Sequence, residues 1–335
     1  MATAAAVACT SSSLPTIRTV NGIAQGTTYS LQWSGGGEES EVARAAEQEL
    51  ERIDALLSNY RADSTLERFN ASRSIEPIEL PSELVTLLHI AKTVHAASAG
   101  CFDPTVRPLV RAWGFDTDHP AVPSTVAIDE ARASVGLDKL ELLDGTHARK
   151  ALPSLAVDMA SIGQGYSVER LATLLEQHGS SAYLAEIGGE VVARGTKPDG
   201  ARWRIGVENP SSESAPGPAL QMPAETRTAV ITSGTYRHYF EGDERRFSHV
   251  IDPRSGQPVD HALLSVTVLG HDAATTAAWA TALLCLGPAD GADTAEREHL
   301  AALLWVGNGD APPTLRRSEA YATEWRTLLE EPGAR

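Results

Sequence analysis

The chain has 335 residues, 42% of them hydrophobic, and its 44 acidic residues outnumber 28 Lys and Arg to give a net charge of −16. That balance disfavours non-specific attraction to nucleic acid or to an anionic membrane, while the length allows one large domain or two closely joined lobes. No apolar run is long enough to predict a membrane span. The cysteines, Cys9, Cys101 and Cys285, have no metal-like spacing and cannot all pair, which fits a reducing compartment. The opening MATAAAVACTSSS lacks a basic region and a sufficient apolar run for a secretory signal, so a cytoplasmic location is expected. Residues 1–16 read as a flexible tail and 17–330 as a single domain of two lobes.

In chain order, residues 23–33 (IAQGTTYSLQW) have strand composition. Residues 39–58 carry an apolar stripe at Val42, Ala45, Ala46, Leu50, Ile53, Leu56 and Leu57, the spacing of a helix laid on a sheet. Residues 59–72 are polar and turn-rich and read as a surface loop, with Tyr60 and Ser64 as candidates for ligand contact. Pro81 opens a helix that runs to Gly100. In GCFDPTVRPLVRAWGF, Asp103 is held extended by the proline that follows it, and Trp113 and Phe115 are expected in the core. Residues 118–142 read as loop plus a weak helix.

The most informative stretch is residues 157–189. Val168, Leu171, Ala172, Leu174 and Leu175 keep helical spacing, and Gly179 stands where a left-handed cap belongs. Gly163 and Gly165 are placed just before that helix, where close backbone approach and unpaired N–H groups would favour an anion. Beyond the next strand, Glu186 and the Gly188–Gly189 pair suggest a second close-approach site. A dinucleotide fingerprint fails, because the third glycine position is Val168.

Further on, residues 182–207 alternate as antiparallel strands around a turn at 198–200, and 211–224 are low in complexity and expected as a surface excursion. Residues 229–259 read as a strand, a Ser-Gly turn at Ser233–Gly234, a hairpin through EGDE, and a DPRSG turn. A buried helix is expected over 272–286, ending at Gly287, then a strand over 301–306 and a charged tail. Strands and helices follow one another with hairpins and without regular alternation, so the fold class is α+β with largely antiparallel sheets.

Glu186, Ser233, Arg237, His249, Asp252 and Thr281 are the candidates for chemistry. A neutral imidazole at His249 can take a proton near pH 7, and Asp252 is close enough in sequence to orient it. Ser233 lacks the G-x-S-x-G context of a serine hydrolase.

The stretches GTTYSL, YRADSTLERFN, GCFDPTVRPLVRAWGF, DMASIGQGYSVERLATLLEQHG, YLAEIGGEVVARGTKPDGARWRIGVENP, ITSGTYRHYF, SHVIDPRSGQPV and ATALLCLG occur in this order. Through them the chain resembles the FAD:protein FMN transferases of the ApbE type, from about residue 22 to 325. The resemblance implies a two-lobed, T-fold-like α+β architecture and a Mg²⁺-assisted phosphoryl transfer from FAD to a Thr or Ser hydroxyl of an acceptor, with AMP released. It assigns His249 and Asp252 to catalysis. Tyr60, Ser64, Asp103, Gln164, Glu186, Gly188, Gly189, Ser233, Gly234 and Arg237 fall in the FAD cradle, and Thr281 and Ser161 at the metal. FAD hydrolysis to FMN and AMP, or other chemistry on a bound flavin or related nucleotide, are the alternatives, and a cytoplasmic acceptor protein or small hydroxyl compound is the implied partner.

Departures from the family pattern fall at four positions. The metal helix has Ala277 where the family has an Asp four residues before the Thr, and Asp272 lies about 13 Å from Thr281 along a helix, too far to replace it. Gln164 replaces a Lys, Gln25 a Met, and Thr235 an acidic residue. Flavin binding with weakened Mg²⁺ affinity is the expectation that follows.

Overall fold

The computed structural model describes residues 16–117, 119–210, 217–236, 239–242, 245–309 and 311–326, and the backbone of 329–330. The expected tail, apart from Thr16, and Arg237 lie outside these residues.

Eight strands lie side by side in chain order: β1 (Arg18–Ala24), β2 (Thr27–Gly35), β3 (Ser180–Ile187), β4 (Glu190–Arg194), β5 (Thr228–Gly234), β6 (Leu263–Gly270), β7 (Ala301–Asn308) and β8 (Ala311–Arg317). Every neighbouring pair is antiparallel. The single strand expected over 23–33 is a hairpin, because Gln25 and Gly26 adopt φ of 52° and 75° and reverse the chain.

Long excursions between strands supply the helices: α1 (Glu39–Leu57), α2 (Thr65–Ala71), α3 (Ser82–Ala97), α4 (Arg107–Ala112), α5 (Thr125–Ala133), α6 (Ala160–Gln177) and α7 (Ala273–Arg297). Helices α1, α6 and α7 pack on one face of the sheet with α3 against α7, and their Leu, Val and Ala side chains form the main core. Strand alternation divides the sheet cleanly: Val192, Ala229 and Ile231 join the helix-side core, whereas Val191, Ala193 and Val230 face away. The opposite face is covered by Trp203, Leu220, Met222, Tyr321 and Trp325.

Several expectations change. The loop over 59–72 contains α2, whose first turn is capped by the Ser64 hydroxyl accepting from Glu67 N–H at 2.9 Å. The excursion over 211–224 includes a strand at Ala219–Gln221, with Leu220 and Met222 buried, while 211–216 lie outside the described residues. Chain beyond 306 is no mere tail, since β8 pairs with β7 and Tyr321 and Trp325 are buried. Helix α7 bends at Gly287 (φ 82°) and continues to Arg297.

Gly163 and Gly165 lie inside α6, not ahead of it. A Cβ on Gly165 would stand 2.5 Å from the Ala273 carbonyl oxygen and 2.7 Å from the Ala277 Cβ, so this glycine lets α6 and α7 close on each other. Its purpose is helix packing, a contact invisible in local sequence.

A third apolar cluster joins Leu109, Trp113, Ile128, Phe247 and Ile251. It fastens the hairpin Tyr239–Gly242/Arg245–Ser248 against α4 and α5, and the Trp113 indole N–H donates to Gly256 O at 2.9 Å. Residues 249–253 are thereby fixed beside the helix-side end of the sheet.

Candidate active site

At that end a cavity of about 590 Å³ opens between β5, the start of α6, the middle of α7, the turn between β3 and β4, residues 101–106 and residues 249–253. Its volume suits a cofactor-sized ligand. Of the residues singled out from sequence, Asp103, Ser161, Gln164, Gly188, Ser233, Gly234, His249 and Thr281 line it. Asp103 and Thr281 lie 178 positions apart in sequence, and the sheet with its two long helices brings them into one cavity.

Gly188 and Gly189, with φ of 62° and 94°, make the tight turn that joins β3 to β4. A side chain at Gly188 would meet the Gln164 amide nitrogen at 2.9 Å. Opposite, the Ser233 and Thr281 hydroxyl oxygens approach to 3.4 Å, linking β5 to α7. Thr232, on the next position of β5, pairs with Thr267 at 2.7 Å. Gln25 in the first hairpin bonds Ser167 of α6 at 2.9 Å, tying the cavity rim to that helix.

Three carboxylates among the described residues line the cavity, and their environments differ. Asp103 is buried and saturated: one oxygen accepts from the Thr105 N–H and hydroxyl at 2.7 and 2.6 Å, the other from Leu137 N–H at 3.0 Å. It shapes its own loop. Asp158 accepts from the Asn59 amide at 2.6 Å and from Ala160 N–H at 2.8 Å, and burial still pushes its carboxyl above the usual range. Glu190, at the start of β4, is buried with its Oε2 lacking any hydrogen-bond partner, and desolvation raises its carboxyl well above normal. No Lys or Arg is among the described residues of the lining.

Five candidates fall outside that lining. Tyr60 is 91% exposed. Ser64 is the α2 cap, its hydroxyl donating to Ser58 O at 2.7 Å. Glu186 accepts from Gly189 N–H at 2.7 Å, so both residues serve the β3–β4 turn. The Asp252 carboxylate lies outside the lining and accepts from the Arg254 guanidinium at 2.9 and 2.8 Å. Arg237 lies outside the described residues.

Asp158, Glu190 and Thr232 are among the polar lining residues that sequence reasoning did not single out. The cysteine reading also changes: Cys101 and Cys285 form a disulfide across 184 residues of chain. It joins the cavity-lining loop to α7 one turn beyond Thr281. The closeness of Asp252 to both sulfurs makes no metal centre, because the sulfurs are bonded to each other.

Comparison with known proteins agrees with this geometry. The ApbE family model matches residues 25–304. An FAD:protein FMN transferase of Escherichia coli (strain K12) is 37% identical over 278 residues, covering 81% of this chain and 78% of that protein. One from Salmonella typhimurium is 34% identical over 309 residues, covering 90% and 87%. The apo crystal structure of Pseudomonas stutzeri flavinyl transferase ApbE superposes with a TM-score of 0.85 at 35% identity, covering 93% of this chain and 97% of that one. The Vibrio cholerae flavin transferase ApbE gives 0.83 at 32% identity, covering 92% and 99%. With most of its length matched in sequence and in fold, and its cavity built from the matched stretches, the chain belongs to the ApbE family.

Proposed function

We propose that the cavity binds FAD and that the chain transfers FMN from it to a Thr or Ser hydroxyl of an acceptor protein, releasing AMP. Family membership supports the reaction, and one observation carries the site: hydroxyls, a histidine and three carboxylates surround a cofactor-sized space without a lining Lys or Arg among the described residues. A diphosphate in such a space needs counter-charge from a cation, and hard oxygen donors are what Mg²⁺ takes. The unpartnered Glu190 oxygen fits that requirement. Thr281, with Ser161 at the head of α6, would help hold the ion, and Mg²⁺ when bound neutralises charge on the diphosphate oxygens.

The chain's own groups do the rest. The Gly188 turn, Gln164, Ser233 and Gly234 form walls that orient the nucleotide, and α6 and α7 exclude water from behind it. His249 accepts the proton of the acceptor hydroxyl as its oxygen attacks the FMN phosphorus. The bond from that phosphorus to the AMP oxygen breaks, and AMP departs as a monoester. Asp252 acts indirectly, by pairing with Arg254 and fixing the turn that follows His249.

Mass spectrometry of the chain incubated with FAD, Mg²⁺ and an acceptor peptide tests this. An FMN-sized adduct with stoichiometric AMP is expected, and His249→Ala should slow its formation by roughly 10²- to 10⁴-fold. AMP released equally fast without acceptor would contradict transfer in favour of hydrolysis. No described helix is long and apolar enough to cross a membrane. Cytoplasmic placement requires the Cys101–Cys285 pair to be reduced in the cell, which thiol alkylation on intact cells decides.

A further inference from the structure

Glu190 presents a physical problem that the rest of the cavity does not. Asp103 and Asp158 also line the space, but each spends its charge on two or more hydrogen bonds from the protein. Glu190 has none: Oε2 is buried and unpartnered, and neither an ion pair nor a side-chain hydrogen bond reaches the carboxylate among the described residues. An ionised carboxylate in that position lacks a counter-charge, and a protonated one lacks an acceptor for its proton. Removing such a group from water is costly unless something bound restores the lost interactions.

Its position indicates what is bound. Strand β4 pairs with β5 through Val191 and Val230, and the alternation of both strands puts Glu190 on the helix face with Val192, as it puts Ser233 there with Ile231. Ser233 in turn touches Thr281 of α7. On the same helix Ala277 is buried and offers only a methyl group, pressed against Gly165 of α6. A carboxylate from the sheet therefore shares one cavity with hydroxyls from β5, α6 and α7, whereas the helix itself supplies no acidic side chain at 277.

We propose that Glu190 is the carboxylate ligand of a divalent cation in this cavity, reaching it from β4 in combination with the Thr281 hydroxyl. The ion's part in catalysis rests on the flavin-transfer reading; its binding does not. Cation affinity is retained here despite Ala277, which replaces the expectation that the alanine weakens it. Gly188 lines the same cavity two residues before Glu190, so the turn would stand beside the residue that would hold the ion.

Mn²⁺ is the probe. Electron paramagnetic resonance of the metal-stripped full chain, titrated with Mn²⁺ in the absence of flavin, should report a bound ion, and Glu190→Gln should weaken it by about tenfold or more. For Glu190→Gln, an unchanged far-ultraviolet circular dichroism spectrum and a thermal midpoint no lower than that of the unaltered chain separate loss of the ion from damage to the fold. Equal Mn²⁺ affinity in both proteins overturns the proposal, as does FAD binding by a chain that takes up no Mn²⁺. Mn²⁺ binding without FAD binding supports the cation site and sinks the flavin reading. If Glu190→Gln does not fold, Fe²⁺ with ascorbate and peroxide answers on the unaltered chain: backbone scission at 188–191 and 280–282 supports the assignment, and scission elsewhere overturns it.

Discussion

On β4, Val191 and Ala193 face a dry layer of Trp203, Leu220, Met222, Tyr321 and Trp325, while Glu190 and Val192 from the same strand face the helices. The aromatic face is closed by large side chains, and the Trp203 indole N–H is matched to Arg194 O at 3.0 Å. The helix face is closed by Leu, Val and Ala except at one end, where it admits carboxylates and hydroxyls and leaves a cavity. One backbone thus carries stability on one side and chemistry at the end of the other, and strand alternation alone keeps them apart.

The largest effect should come from breaking the dry face. Trp203 is 1% exposed, and Trp203→Ala should lower the free energy of unfolding by about 3–5 kcal/mol. Denaturant titration measures this, and FAD affinity of the folded fraction should stay as it was; a parallel loss of affinity would show that the two faces are not independent. Next is the covalent tie on the helix face. Closing 184 residues, the Cys101–Cys285 bond should contribute about 2–4 kcal/mol, read as a fall in unfolding midpoint for the Cys101→Ser/Cys285→Ser double variant. Since Cys101 lines the cavity, that variant should also bind FAD more weakly, unlike Trp203→Ala.

A smaller effect distinguishes buried charges. Lys150 is 1% exposed; its ammonium donates to Asn70 O and Ser72 O at 3.2 and 2.9 Å and lies over the Phe69 ring. Burial brings its pKa down to about 8, with Arg73 nearby adding to the shift. The unfolded chain therefore holds a proton that the native chain releases between about pH 8 and 10.5, so stability should rise with pH across that window. Melting curves of wild type and Lys150→Met should show this slope in the wild type alone. Equal slopes would mean that the backbone carbonyls hold the ammonium charged.

What the sequence disclosed, and what it hid, follows the range of the interactions involved. Helix α1 was legible because an apolar stripe is a local signal, and α3 because Pro81 and Gly100 mark its ends; Gly188, Ser233, His249 and Thr281, each in a distinctive short stretch, line one cavity. Gly165 misled, since its reason for being glycine is Ala273 of α7, more than a hundred residues away. The disulfide was hidden likewise, its cysteines standing 184 residues apart. Asp252 shows a partner that the sequence did not announce: Arg254, two residues on, donates to its carboxylate. Glu190 read as an ordinary strand residue, because burial without a partner is a property of the assembled sheet and helices.

Titration calorimetry of FAD into the purified chain, with Mg²⁺ and then with EDTA, addresses the central claim most directly. The account predicts saturable binding with Mg²⁺ that weakens when the ion is removed, because a cavity whose described lining holds three carboxylates and no Lys or Arg must otherwise accept a diphosphate uncompensated. No binding in either condition would contradict it.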